Sequence, residues 1–159
     1  MNVKDVLDEL RRDKRYRHRM VHVERLAARE ARYAAPSAPL DQSLADVLGG
    51  WGIRQLYSHQ AAAIDGVRSG DDVAVVTGTA SGKTMCYNLP VLESLRGDPE
   101  GRALYLFPTK ALSRDQLKTL HAWQAALPQG DQVLRPAVYD GDTPQSDRRR
   151  IRTQANVVL

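Results

Sequence analysis

The segment Thr77-Gly78-Thr79-Ala80-Ser81-Gly82-Lys83-Thr84 constrains this chain more than any other stretch. It follows the apolar run Val73-Ala74-Val75-Val76 and leads into a helical pattern, so the local order reads strand, glycine-rich loop, helix. Gly78 and Gly82 let the backbone turn sharply and approach a ligand with no Cβ in the way. The freed N–H groups and the positive end of the following helix then make an anion site. Lys83 can reach the β- and γ-phosphates of a nucleotide, and the Thr84 hydroxyl can ligate Mg²⁺. Thr77 stands where the strict phosphate-loop pattern has glycine. The bland alternative is a polar turn carrying a solvent-facing lysine.

The surrounding pattern is an alternation of strands and helices. Strands are expected over 73–76, 103–107, part of 133–139 and 156–159, with helices near 83–95, 109–127 and 144–153. That alternation predicts an α/β fold, a parallel sheet with helices on both faces and right-handed crossovers. The helix over 109–127 presents Leu117, Leu120, Trp123 or Ala126, and Leu127 at helical spacing. Pro90 lies inside the helix after the phosphate loop, where it removes one hydrogen bond and should kink the axis.

Upstream, Asp41 or Ser43 can cap a short helix bearing Leu44, Val47 and Leu48, stopped by Gly49-Gly50. A loop of large side chains, 51–57, precedes a second helix from Ser58, which has Gln60, Ile64 and Val67 on one face and ends at Ser69-Gly70. Val3, Val6, Leu7 and Leu10 form a helical stripe at the N-terminus. The basic run from Arg11 to Arg19, with Tyr16 inside it, suits either phosphate contacts or a solvated arm. Residues 34–39 carry two prolines and read as a linker. The expected division is a basic N-terminal helical extension and linker over 1–40 and a compact domain over 41–159.

Composition narrows the function classes only modestly. A chain of 159 residues can bury one real core, and a net charge of +4 suits a polyanion partner without requiring one. The lone cysteine, Cys86, precludes an internal disulfide and fits a small buried residue. No apolar run approaches the roughly 18 residues of a membrane span, and the charged N-terminus is unlike a signal sequence. The expectation is a cytoplasmic protein without a membrane partner, of open oligomeric state.

Read together, the motifs resemble one family. Thr79-Ala80-Ser81-Gly82-Lys83-Thr84 is similar to motif I of superfamily 2 helicases, the DEAD/DEAH-box group, and Leu56-Tyr57-Ser58-His59-Gln60 resembles their Q motif. Phe107-Pro108-Thr109-Lys110-Ala111-Leu112 resembles motif Ia, and Asp140-Gly141-Asp142-Thr143-Pro144 the next segment. Within the group, the wording is most similar to the MrfA-like, RecQ-related DNA helicases, which are implicated in DNA repair. The resemblance implies a RecA-like phosphate-loop domain with ATP and Mg²⁺ as cofactors and nucleic acid, DNA with a single-stranded region, as partner.

It also implies residue roles. ATP would be held by Tyr57, Gln60, Thr79, Ala80, Ser81, Gly82, Lys83 and Thr84, with Lys83 and Thr84 catalytic and Thr84 on the metal. Gln60 carries a donor and an acceptor on one amide, so it can pair with adenine N6 and N7; capping its own helix is the plain alternative. Tyr57 would stack on the adenine, or simply pack. Pro108, Thr109 and Lys110 would meet a nucleic-acid phosphate, although Thr109 suits a helix cap regardless. Asp140–Thr143 reads first as structural, with Thr143-Pro144 as cap and first-turn proline, and Arg148, Arg149, Arg150 and Arg152 as a solvated surface.

The acidic Asp-Glu-x-His or Asp-Glu-Ala-Asp segment of this family does not occur in the sequence. Motif III and a second RecA-like domain are also missing, so the expectation is an incomplete sheet in the N-terminal part of a longer helicase. Two other functions remain in view at this stage: a nucleotide- and nucleic-acid-binding fragment without catalysis, and an unrelated phosphate-loop kinase with no use for Gln60.

Overall fold

The computed structural model describes residues 2–28, 30–98 and 100–159. The chain divides into two compact units, Met1–Ala31 and Arg32–Leu159. The first contains α1 (Val3–Arg12), whose Asn2 cap accepts from the Asp5 amide while the Asp5 carboxylate accepts from the Asn2 amide. No residue of α1 is buried: Val3 is exposed, and Val6, Leu7 and Leu10 are half-buried.

The second unit starts earlier than the sequence suggested. Prolines do keep 34–39 out of a helix, but the segment is no free linker. Its extended backbone pairs with 56–58: Ala34 N donates to Leu56 O at 3.1 Å and Ser58 N to Arg32 O at 2.8 Å. Side chains complete the attachment. Asp65 accepts from the Ser37 amide and hydroxyl, and Arg68 donates to the carbonyls of Ala38 and Pro39. Arg68 also pairs with Glu93 at 2.7 Å, tying α3 (Ser58–Arg68) to α4 (Lys83–Gly97).

Between these lies α2 (Gln42–Gly50), capped by the Asp41 carboxylate on the Ser43 amide at 3.0 Å. Downstream come β1 (Ala103–Leu104), α5 (Lys110–Ala126), the single turn α6 (Gly130–Val133), β2 (Pro136–Ala137), α7 (Gln145–Gln154) and β3 (Val157–Val158). The sheet has the order β1-β3-β2 and is parallel throughout, with Ala103 and Pro136 both opposite Val157. Parallel neighbours joined by helices are the arrangement that the alternation predicted. The core gathers Leu44, Ile64, Leu89, Leu92, Leu120, Trp123, Leu134 and Val157, all shielded from solvent. Cys86 is buried as expected. α4 runs through Pro90 to Gly97, with the proline ring itself buried. No described helix is long and apolar enough to cross a membrane.

Two expectations about secondary structure need correction. The residues expected to form the phosphate-loop strand, Val73–Val76, are extended but unpaired: among the described residues no backbone–backbone hydrogen bond joins 72–80 to another segment. Val76 is 94% exposed, while Val75 of the same unpaired segment is partly buried. A groove of about 710 Å³ separates Val73 and Val75 from Phe107 across the surface of α4. β propensity needs a partner to become a ladder, and nothing in these residues fills that gap. The second correction concerns 103–107, where β1 covers only Ala103–Leu104, whereas the strand expected in part of 133–139 forms at Pro136–Ala137.

Candidate nucleotide and nucleic-acid site

The phosphate loop is an open turn closed at its base by side chains. Gly82 caps α4 with φ +75°, a left-handed conformation that favours glycine. Ala80 also has positive φ, 58°, an uncommon state for a residue with a Cβ and one found where loops are shaped for function. The Lys83 ammonium bends back into the loop, donating to Thr77 O at 2.9 Å and Gly78 O at 2.5 Å. Thr77, the departure from the glycine pattern, has a use: its Oγ1 lies 2.6 Å from Ser81 Oγ and closes the loop across its base. Thr79 and Ala80 are exposed at its tip.

The N-terminus of α3 grips this loop. Gln60 is buried, 4% exposed, and both ends of its amide are engaged. Its Oε1 accepts from the Tyr57 amide at 2.9 Å, the helix-capping role, and its Nε2 donates to Gly82 O at 2.9 Å. One N–H and one lone pair of the amide remain uncommitted. His59 is a residue that sequence reasoning passed over. Its Nε2 lies 2.9 Å from Ser81 O, and because a carbonyl only accepts, Nε2 carries the proton. Adjacent residues on one helical turn thus hold adjacent carbonyls of the loop.

Tyr57 is not an isolated ring awaiting a base. It stacks on Tyr33 at 5.3 Å and 14°, and on His59 at 5.7 Å and 9°. The packing alternative describes these contacts, and Tyr33 lies just before the 34–39 segment that reads as linker. No sequence signal pointed to it, because its approach depends on the backbone pairing of 32–34 with 56–58.

The motif Ia-like turn leaves the end of β1. Thr109 is the N-cap of α5, its Oγ1 accepting from the Leu112 amide at 3.3 Å, and Pro108, Thr109 and Lys110 are all exposed. Because β1 and β2 run parallel, the turns after them emerge at the same end of the sheet. Asp142, from the turn after β2, pairs with Lys110 at 2.5 Å. The hydrogen bond to Lys110, its charge and a smaller attraction from Arg114 hold the Asp142 carboxyl below the usual carboxylate range.

The turn itself is built from local hydrogen bonds, as its structural reading implied. Asp140 N donates to Thr143 Oγ1 at 2.9 Å and Asp142 N to Asp140 Oδ1 at 2.8 Å. Thr143 therefore does not cap α7, whose cap position is Pro144. Arg148 is likewise no solvated side chain: it donates to Thr143 O at 3.0 Å and lies over the Tyr139 ring. Arg149, Arg150 and Arg152 are exposed as expected.

The sequence profile of the DEAD/DEAH box helicase family matches residues 57–159, from the Tyr57 cap through the phosphate loop to β3. The chain belongs to that family. It is similar over nearly its whole length to the ATP-dependent helicase YprA of Bacillus subtilis, 38% identical across 98% of this chain and 20% of the relative. With the ATP-dependent helicase hrq1 of Schizosaccharomyces pombe it shares 36% identity, across 99% of this chain and 15% of the relative. Among solved structures, the DUF1998 helicase MrfA bound to DNA superposes with a TM-score of 0.82 at 35% identity, covering 99% of this chain and 22% of that one. MrfA bound to DNA and AMPPNP superposes at 0.77 and 34% identity, covering 99% and 21%. The chain thus spans roughly a fifth of these helicases. Its small parallel sheet with packed helices is the RecA-like arrangement of a DEAD/DEAH box helicase domain, with fewer paired strands.

Proposed function

We propose that these residues are the first part of the first motor domain, 41–159 with its 32–40 strap, of an ATP-dependent DNA helicase with a role in DNA repair. The observation that carries this reading is the convergence of His59 and Gln60 on the carbonyls of Ser81 and Gly82. It joins the Q-like segment to the phosphate loop, so a base read at one would have its phosphates held at the other. A Cβ at Gly82 would sit 2.6 Å from Gln60 Nε2, so the close approach of α3 to the loop exists only with glycine, which supports the link between the two segments.

In this reading ATP is held by Thr79–Gly82 amides and by Lys83, which leaves the Thr77 and Gly78 carbonyls for the β/γ-phosphates. The Thr84 hydroxyl would hold the accompanying Mg²⁺, which would supply charge neutralisation on the phosphates. The free N–H and lone pair of Gln60 match adenine N7 and N6. Tyr57, already stacked, contributes the edge of the base pocket. Pro108, Thr109 and Lys110 meet a phosphate of a single-stranded region of DNA.

The chain lacks an Asp-Glu-x-His or Asp-Glu-Ala-Asp segment. That favours a second reading for the 159 residues by themselves, ATP and DNA binding without turnover. An ATPase assay with and without single-stranded DNA separates the two: DNA-stimulated turnover by this chain overturns the binding-only reading.

Two variants test the site. Gln60→Ala should narrow the preference for ATP over GTP by about tenfold, the worth of roughly 1.4 kcal/mol of base pairing, in competition binding. Thr84→Ala should leave metal-free nucleotide binding intact and remove most of the added affinity that Mg²⁺ confers, read by titration with and without EDTA.

A further inference from the structure

Helix α5 has no acidic residue in its own first turn. Its positive end is nevertheless supplied with a carboxylate, from the distant turn after β2. The turn is shaped by the Asp142 amide donating to Asp140 Oδ1 and the Asp140 amide donating to Thr143 Oγ1, and from it the exposed Asp142 carboxylate pairs with Lys110. A carboxylate on a lysine at a capped helix start occupies the place and charge of a phosphate oxygen. Lys110 therefore already has an anionic partner supplied by this chain.

We propose that Asp142 is an internal competitor for the nucleic-acid phosphate at Lys110, setting the affinity of this end of the sheet for the strand. The proposal rests on the reading of Pro108–Lys110 as a phosphate contact. For a strand to engage Lys110, the Asp142 carboxylate must be displaced, and its own charge then faces the incoming phosphate. Removing that charge frees the lysine and relieves the repulsion together. Both exposed side chains sit in water, so the effect is modest and salt-sensitive. A merely structural ion pair predicts the opposite, because loss of Asp142 would loosen the turn and leave Lys110 less well placed.

The test is a titration of a fluorescein-labelled single-stranded oligonucleotide with the full chain at low salt, followed by anisotropy. Four forms are compared: wild type, Asp142→Asn, Lys110→Ala and the double variant. Asp142→Asn keeps the side-chain shape and is expected to bind about two- to fivefold more tightly than wild type. In the Lys110→Ala background the same change should have no effect. Unchanged or weaker binding by Asp142→Asn overturns the proposal, as does a gain that persists without Lys110, which would mark bulk charge alone. If neither wild type nor Asp142→Asn binds the oligonucleotide while both bind ATP, the nucleic-acid reading of 108–110 falls and takes this proposal with it.

Discussion

Replacing Lys83 with alanine should reduce ATP affinity by about a hundredfold or more. The side chain's partners in the structure are the carbonyls of Thr77 and Gly78, groups that any water molecule can satisfy equally well. A triphosphate offers full negative charge in the same small volume. Charge-assisted hydrogen bonds are worth roughly 1.5–3 kcal/mol each, and an ammonium between two phosphates makes at least two. The fold should survive the change, because Lys83 is only partly buried. Calorimetric titration with ATP and Mg²⁺ gives the affinity, and a thermal melt without nucleotide gives the control. Unchanged affinity with an unchanged melt would remove the nucleotide site from this loop altogether.

The features legible in the sequence are those whose causes are local. Helices α2 and α5 announced themselves through periodicity and caps: Asp41 and Thr109, both read as capping residues, are their caps. The loop that leads into α4 was legible because its glycines, lysine and hydroxyl lie within eight consecutive residues. What failed depended on partners distant in sequence. Val73–Val76 has the composition of a buried strand, yet a strand is defined by its neighbours, and among the described residues it has no backbone partner. The 34–39 segment has the composition of a linker, yet Asp65 and Arg68 of α3 give its backbone and Ser37 their hydrogen bonds.

The site shows the same divide. That Gln60 could cap its helix followed from its position; that its amide would also reach Gly82 O followed from how α3 packs against the loop. Thr143 illustrates a local ambiguity: a threonine before proline can cap the helix or fold back on its own turn, and the hydroxyl took the Asp140 amide. His59 and Tyr33 were invisible because a histidine and a tyrosine carry no pattern until the backbone brings Ser81 and Tyr57 to them.

Gly82→Ala should harm the protein twice over, and the two effects can be separated. Holding alanine at φ +75° costs about 1–2 kcal/mol, which lowers the melting temperature by roughly 2–8 °C for a domain of this size. The second effect is steric. The new Cβ would lie 2.6 Å from Gln60 Nε2, and that side chain is buried and fixed at its other end by the Tyr57 amide. Either Gln60 leaves Gly82 O or the loop moves away from α3; both break the connection between base and phosphates, and ATP affinity should fall at least tenfold. Gln60→Ala empties the space that the Cβ needs. In that background Gly82→Ala should therefore cost less in both stability and affinity, by about 1 kcal/mol of coupling, the size measured for residues in direct contact. Additive losses in the double variant would mean that α3 and the loop act independently, and the reading of Gln60 as the link between them would fail.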